Sequence, residues 1–151
     1  MEEQKRERLE VEVPSGKVVI SMATCPNGCD LMDHSVQIKG HASIRLEFEY
    51  EGKRGPIYLD PVYGGHENVC EEEIPVGAVV EFYCPHCGVS LKDPGATCQD
   101  CGAPMFALSL PRGGFVEACQ RNGCFFHKLR IVTGEDMMQR LFDDIGMDSF
   151  L

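Results

Sequence analysis

The stretch Cys84-Pro-His-Cys87 and, after a gap of ten residues, Cys98-Gln-Asp-Cys101 decides how this chain is interpreted. Each Cys-x-x-Cys pair is followed by a glycine, which permits a tight turn whose backbone N–H groups point at the sulfur atoms. Four thiolates at one point suit zinc in tetrahedral geometry, or iron in a rubredoxin-type centre. We therefore predict that Cys84, Cys87, Cys98 and Cys101 form one closed metal site.

The segment from Cys84 to Met105 resembles the short zinc-ribbon modules of bacterial and archaeal proteins. Their usual form is a Cys-Pro-x-Cys-Gly turn, a second turn with Pro and Gly, and a Cys-x-x-Cys-Gly-Ala-Pro turn, and this segment has all three. The resemblance covers 22 residues and implies that the four cysteines of the segment bind zinc. It implies no particular function, and it does not extend to the whole chain.

A second metal site is predicted from two turns that are far apart in sequence. The turns Cys25-Pro-Asn-Gly-Cys29 and Cys119-Gln-Arg-Asn-Gly-Cys124 both end in Asn-Gly-Cys. Asn and Gly tolerate the left-handed backbone that such turns require. We expect the two turns to meet across a sheet and to bind a second zinc through Cys25, Cys29, Cys119 and Cys124. As alternatives, His34 or His127 replaces one thiol, or these cysteines are reduced core residues or a labile disulfide.

Composition restricts the function classes. The chain of 151 residues has 24 acidic and 14 basic side chains, and a zinc bound by four thiolates adds further negative charge. Nucleic-acid binding is disfavoured, because it needs a clustered basic surface. Nine cysteines, no apolar run of about 20 residues and a charged segment Met1–Glu10 without a signal-peptide pattern predict a cytoplasmic metal protein without a membrane span.

Alternating apolar and polar residues predict a mostly β protein with an antiparallel sheet. The clearest hairpin joins Ile44–Tyr50 to Pro56–Leu59 through a turn at 51–55. Val11 and Val13 are predicted to pair with Val18–Met22 around a Pro-Ser-Gly turn. Further strands are predicted at 35–39, 78–83, 105–110, 115–118 and 125–132. No repeat of long period is evident in the sequence.

These patterns divide the chain into five segments. They are a charged N-terminal extension (1–10), an antiparallel β region (11–83), the zinc ribbon (84–105), a closing β-hairpin and strand (106–132), and a C-terminal helix and tail (133–151). Thr133 is placed to cap this helix. The apolar residues of the helix and of Phe150-Leu151 exceed what one buried stripe needs, so we expect this segment to dock on a partner subunit.

The other chemistry-bearing residues match no known motif. A nucleophilic pair of Cys70 with His66 is conceivable, but the acidic neighbours of Cys70 raise the pKa of a thiol and favour a lone, unreactive cysteine. An open catalytic metal site is a further alternative, and it would use His34, His41, His66, Asp30, Asp33 and Asp60. The spacing of these residues matches no ligand motif.

The sequence therefore predicts a non-catalytic zinc protein that serves as an accessory or small subunit of a larger cytosolic enzyme complex. One alternative is a rubredoxin-like electron carrier, because the ligand spacing does not separate iron from zinc. A second is a nucleic-acid-binding zinc ribbon, against which the net charge of −10 argues. A third is a hydrolytic or carboxylating enzyme, for which no motif is present.

Overall fold

In a computed structural model, the chain forms two antiparallel β-sheets that share one hydrophobic core. The structure describes residues 8–11 and 18–132. The strands are β1 (Arg8–Val11), β2 (Met32–Ile38), β3 (His41–Tyr50), β4 (Lys53–Leu59), β5 (Val69–Cys70), β6 (Glu81–Tyr83), β7 (Lys92–Thr97), β8 (Pro104–Ser109), β9 (Phe115–Cys119) and β10 (His127–Val132). The prediction of a mostly β, antiparallel protein is confirmed. Within the described ranges, no helix is long and apolar enough to cross a membrane.

The first sheet has the order β2-β3-β4-β5, and β6 also pairs with β3. Strands β3 and β4 form the predicted hairpin, with Ile44 opposite Leu59 and Tyr50 opposite Lys53. Glu51 and Gly52 form its two-residue turn, and both have positive φ. Such a turn matches the right-handed twist of the strands that it joins. The hairpin thereby turns alternate residues of β3 towards the core.

The second sheet has the order β1-β10-β9-β8-β7. Strand β7 is an edge strand that contains Pro94 and Gly95, and its register with β8 shifts between Asp93 and Thr97. Proline is tolerated at a sheet edge or a bulge because its missing N–H breaks no ladder hydrogen bond there. The sequence predicts only a turn in this region, because Pro and Gly normally interrupt strands.

The N-terminal part of the chain differs from the prediction, and the C-terminal part after residue 132 lies outside the described residues. Strand β1 begins within the predicted N-terminal extension, and its Val11 pairs with Leu129 of β10. Val19 bridges Val62. Val11 and Val19 thus pair with distant parts of the chain, and the predicted turn at Pro14-Ser15-Gly16, together with Val13, lies outside the described residues. The predicted C-terminal helix at 133–151 lies outside the described residues.

One core holds the two sheets together. The rings of Phe82 from β6 and Phe106 from β8 lie 4.6 Å apart between their centroids. Phe48, Leu91 and Leu129 belong to the same cluster and are 1% exposed. Burying a side chain of this size contributes about 1.5–3 kcal/mol. The shared core fixes the strands of one sheet relative to the other, and with them the loops that carry the cysteines.

The chain contains two copies of one β unit. Each unit has a Cys-Pro turn, a bulged strand and a second strand that pairs with it. The register shifts lie between Asp33 and Gln37 in the first unit and between Asp93 and Thr97 in the second. Asp33 and Asp93 are 60 residues apart. The sequence does not reveal this repeat, because the loops of the two units differ in length and residue type.

Candidate metal centres

Four short turns, here called knuckles, carry eight of the nine cysteines: Cys25–Cys29, Cys84–Cys87, Cys98–Cys101 and Cys119–Cys124. In each knuckle, the backbone N–H two residues after the first cysteine donates to its Sγ, at N···S distances of 3.3–3.4 Å. Each knuckle also has an adjoining or internal glycine with positive φ: Gly28, Gly88, Gly102 and Gly123. The four turns therefore share one local geometry, which presents both sulfur atoms on the same side.

The knuckles assemble in pairs into two sets of four cysteines. The first set is Cys25, Cys29, Cys84 and Cys87, and the second set is Cys98, Cys101, Cys119 and Cys124. Within each set, all Sγ atoms lie within 4.8 Å of one another. The same eight cysteines were predicted, but with other partners: Cys84 and Cys87 were assigned to Cys98 and Cys101, and the remaining four to each other. The structure does not bring those groups together.

The reason for the different pairing is the position of β7. Knuckle Cys84–Cys87 precedes this strand and knuckle Cys98–Cys101 follows it. A strand advances roughly 3.3 Å per residue, so six residues separate the two knuckles by about 20 Å. Two knuckles at opposite ends of one strand cannot share a metal ion.

The first set forms where β2 and β6 meet along β3. Strand β2 begins opposite Ile44, and β6 ends opposite Glu47. Knuckle Cys25–Cys29 leads into β2, and knuckle Cys84–Cys87 follows β6. Pairing of both strands with the same long strand therefore places two knuckles that are far apart in sequence beside each other.

The second set forms at one end of the second sheet. Knuckle Cys98–Cys101 lies in the connection from β7 to β8, and knuckle Cys119–Cys124 begins at the last residue of β9 and continues into the loop before β10. Met105 near the start of β8 pairs with Cys119 at the end of β9. Both connections consequently emerge at the same end, next to each other.

The spacing of the sulfur atoms fits a tetrahedral metal ion. The Sγ–Sγ distances are 3.8 Å for Cys25–Cys87, 3.7 Å for Cys98–Cys124 and 3.5 Å for Cys101–Cys119. Tetrahedral zinc with Zn–S bonds of about 2.3 Å separates its sulfur ligands by about 3.8 Å. The chain is therefore a β protein with two four-cysteine sites whose donor number, donor type and spacing suit a metal ion.

Hydrogen bonds to sulfur favour the thiolate form at one exposed cysteine of each set. Asn27 Nδ2 donates to Cys87 Sγ at 3.4 Å and, with the Val89 amide, lowers the pKa of Cys87 to about 6. At Cys101, the Ala103 amide and then the Arg121 side chain lower the pKa to about 6. The thiolate is the form that binds metal. The hydrogen bonds of Asn27 and Arg121 to sulfur were not predicted, although both residues are polar and lie within knuckles.

Other cysteines of the two sets hold their protons more strongly. A hydrogen bond with Cys25 raises the pKa of Cys29 to about 12, and burial raises the pKa of Cys119. Four adjacent thiolates without a cation would repel one another. Metal binding must displace these protons, so uptake of a metal at either set releases acid.

The histidines proposed as substitute ligands lie elsewhere. His34 is exposed, and neither it nor His127 belongs to either four-cysteine set. His127 Nδ1 lies 2.6 Å from the backbone oxygen of Phe125, to which it donates a hydrogen bond. Its ring also meets Tyr63 edge-on, with centroids 4.5 Å apart.

The alternative open metal site is not assembled. Asp30 accepts from the backbone N–H of Met32, and Asp33 accepts from Ser35, so both carboxylates order local turns. Within residues 8–11 and 18–132, the two cysteine sets are the only groups of three or more His, Cys, Asp or Glu side chains whose ligand atoms are close enough to bind one metal ion. Cys70 lies in β5, where burial raises the pKa of its thiol. A raised pKa disfavours the thiolate that a nucleophile requires.

Asp60 is held in a closely packed ion pair. Its Oδ2 lies 2.9 Å from Lys39 Nζ, and its side chain is completely buried. The backbone N–H groups of Val62 and Glu67 donate to the two carboxylate oxygens. A Cβ atom at Gly65 would collide with the carboxylate, so only glycine lets the loop close over Asp60.

This ion pair occupies the place in the first β unit that the second set occupies in the second unit. Leu59 pairs with Ile44, and Ala118 pairs with Phe106 at the equivalent position of the repeat. The next residue is Asp60 in one unit and Cys119 in the other. Lys39 likewise lies in the β2–β3 turn, whose counterpart is knuckle Cys98–Cys101. Corresponding loops are therefore joined by an ion pair in the first β unit and by a cysteine set in the second.

Comparison of the chain with protein family models, with curated proteins and with solved structures finds no match. The function is therefore inferred from the two cysteine sets and from the residues around them.

Proposed function

We propose that this chain is a zinc protein with two structural metal ions, and that it serves as an accessory or small subunit of a larger cytosolic enzyme complex. The observation that carries the proposal is the presence of four thiol ligands in each set. Four protein ligands fill the coordination sphere of tetrahedral zinc, and a catalytic zinc usually keeps one position open for water or substrate. Two sites without an open coordination position are therefore suited to stabilising the fold.

The positions of the two sets support a structural role. The first set connects the entry to β2 with the exit from β6, and the second set connects the β7–β8 turn with the β9–β10 loop. A metal at either place would cross-link two knuckles that are not adjacent in sequence. Because such a site forms only in the folded chain, the free energy of metal binding contributes to folding.

Zinc and iron are distinguished by the metal content and the colour of the protein. Protein purified from its own host is expected to carry two zinc ions per chain in native mass spectrometry and to be colourless. Cys70→Ser is the matched control, because Cys70 lies outside both sets and its replacement should leave two zinc ions bound. Stoichiometric iron with visible thiolate-to-iron absorption would instead establish the rubredoxin-like alternative.

The role as a subunit is tested through the C-terminal segment. Deletion of residues 146–151 is expected to leave both metals and the melting temperature nearly unchanged, because the cysteine sets lie outside this segment. The same deletion should weaken co-purification of the partner, since the segment is proposed to dock on it. Deletion of residues 1–5, a charged segment of similar length, serves as the control. A truncated chain that is destabilised by several kcal/mol, as after loss of core side chains, would contradict the docking proposal.

A further inference from the structure

Knuckle Cys84–Cys87 of the first set is connected to the second set on both of its sides. On one side, residues 88–97, which include β7, join this knuckle to Cys98 of the second set. On the other side, residues 77–83, which include β6, lead directly into Cys84. Residues 77–83 are here called the linking segment, because they also pair with a knuckle of the second set.

The linking segment is hydrogen-bonded to knuckle Cys119–Cys124. The N–H of Val80 donates to the carbonyl of Gln120 at 2.9 Å, and the N–H of Asn122 donates to the carbonyl of Ala78 at 2.7 Å. The two stretches run antiparallel to each other. Half of the linking segment therefore takes its conformation from a knuckle that holds two ligands of the second set.

Two side chains of the same knuckle add to this pairing. Gln120 is 1% exposed, and its Nε2 donates to the carbonyl of Val80 at 3.0 Å. Arg121 donates from Nε to Cys101 Sγ at 3.4 Å and from a terminal nitrogen to the carbonyl of Gly77 at 2.8 Å. Hydrogen bonds from a guanidinium to an anionic acceptor are among the strong ones. One guanidinium thus joins a ligand sulfur of the second set to the linking segment.

The other end of the linking segment positions a ligand of the first set. Val80 is 2% exposed, and Phe82, two residues further, packs on Phe106 in the core. Cys84 follows after another two residues and belongs to the first set. The stretch from Val80 to Cys84 spans about 13 Å when extended. Such a short stretch, paired at one end and packed in its middle, leaves Cys84 little freedom of position.

We propose that the two sets bind zinc cooperatively and that the linking segment carries the coupling. A metal at the second set fixes knuckle Cys119–Cys124, the knuckle orders the linking segment, and the ordered segment holds Cys84 in place for the other metal. The second zinc to bind then meets a site whose conformational entropy is already lost, which gives positive cooperativity. The coupling is reciprocal, because each metal changes the affinity for the other by the same factor. The proposal rests on the proposed function, since it requires that both sets bind zinc.

The test removes zinc from the two-zinc full chain with a graded series of chelator concentrations under reducing conditions. Native mass spectrometry at equilibrium then counts the chains with no, one and two zinc ions. When half of the zinc is bound, independent sites leave about half of the chains or more with one zinc ion. The two sets have the same four donors, so a coupling of about tenfold should lower this fraction to roughly one quarter. A one-zinc fraction of half or more would overturn the proposal and leave the proposed function intact, whereas a chain that binds no zinc would contradict both.

A variant tests whether the linking segment carries the coupling. Gln120→Leu removes the side-chain donor to Val80 and leaves all eight ligands in place, so two zinc ions should still bind while the one-zinc fraction rises towards half. The matched control is Asn68→Ala, which also removes one hydrogen bond between a side chain and the backbone. Asn68 accepts it from the N–H of Asp60, outside the linking segment, so the fraction should not change.

An unchanged one-zinc fraction in Gln120→Leu, or an equal rise in Gln120→Leu and Asn68→Ala, would show that the linking segment does not carry the coupling. The one-zinc fraction of the unaltered chain still tests the cooperativity if Gln120→Leu does not fold.

Discussion

The double variant Cys84→Ser/Cys98→Ser is expected to lose both metal ions, whereas Cys25→Ser/Cys84→Ser is expected to lose one. In the structure, Cys84 and Cys98 belong to different sets, and Cys25 and Cys84 belong to the same set. Each variant replaces two ligands, so the difference reports only how the ligands are grouped. The free energy lost with one structural zinc is on the order of 10 kcal/mol, which is comparable with the whole stability of a domain of this size.

Native mass spectrometry measures the metal count, and circular dichroism measures the fold. Cys98→Ser/Cys119→Ser is the reciprocal variant and should keep the metal of the first set. Cys70→Ser should keep both metals. If Cys84 and Cys98 instead shared a metal, as the zinc-ribbon resemblance predicts, the result would be reversed: Cys84→Ser/Cys98→Ser would keep one metal, and Cys25→Ser/Cys84→Ser would keep none.

The cysteines of the two sites could be predicted from sequence, but their partners could not. A knuckle is a local structure, because Cys-x-x-Cys spacing and a glycine with positive φ decide its geometry within five or six residues. The partner of a knuckle depends on strand pairing over long distances. Here β3 pairs with both β2 and β6, and this brings Cys25–Cys29 to Cys84–Cys87. No local pattern reports that arrangement.

The same division between local and long-range structure holds for the strands. The hairpin of β3 and β4 was predicted because its alternating residues and its turn are adjacent in sequence. Strand β7 was missed because Pro94 and Gly95 disfavour a strand, yet an edge position and a register shift accommodate them. The repeat stayed hidden because Lys39-Gly40 in the first unit corresponds to the longer knuckle Cys98–Cys101 in the second. Equivalent backbone positions carry different chemistry.

A second large effect is expected at the Lys39–Asp60 ion pair, which lies in the first β unit where the second unit has a cysteine set. Lys39→Met should lower the free energy of unfolding at pH 7 clearly more than loss of an exposed ion pair does, because it leaves the buried Asp60 carboxylate without its counter-ion. The Asp60 side chain is completely buried, whereas 35% of the Lys39 side chain is exposed. The matched control is Lys53→Met. Lys53 and Glu72 are exposed and lie 3.8 Å apart, and loss of such a pair costs less than about 1 kcal/mol.

The pH dependence of this effect follows from the pKa of Asp60. Burial raises this pKa, but hydrogen bonds from Lys39 and from the amides of Val62 and Glu67 outweigh it, so the pKa is lowered in the folded chain. The pair therefore contributes stability above the pKa of an unfolded aspartate, about 3.9, and loses it as the pH falls through the lower folded value. Acid also releases metal from thiolate sites, but it does so in both proteins. The difference in urea unfolding free energy between the unaltered chain and Lys39→Met should thus be constant near neutral pH and shrink on acidification. Equal losses in Lys39→Met and Lys53→Met would show that Asp60 does not depend on its partner.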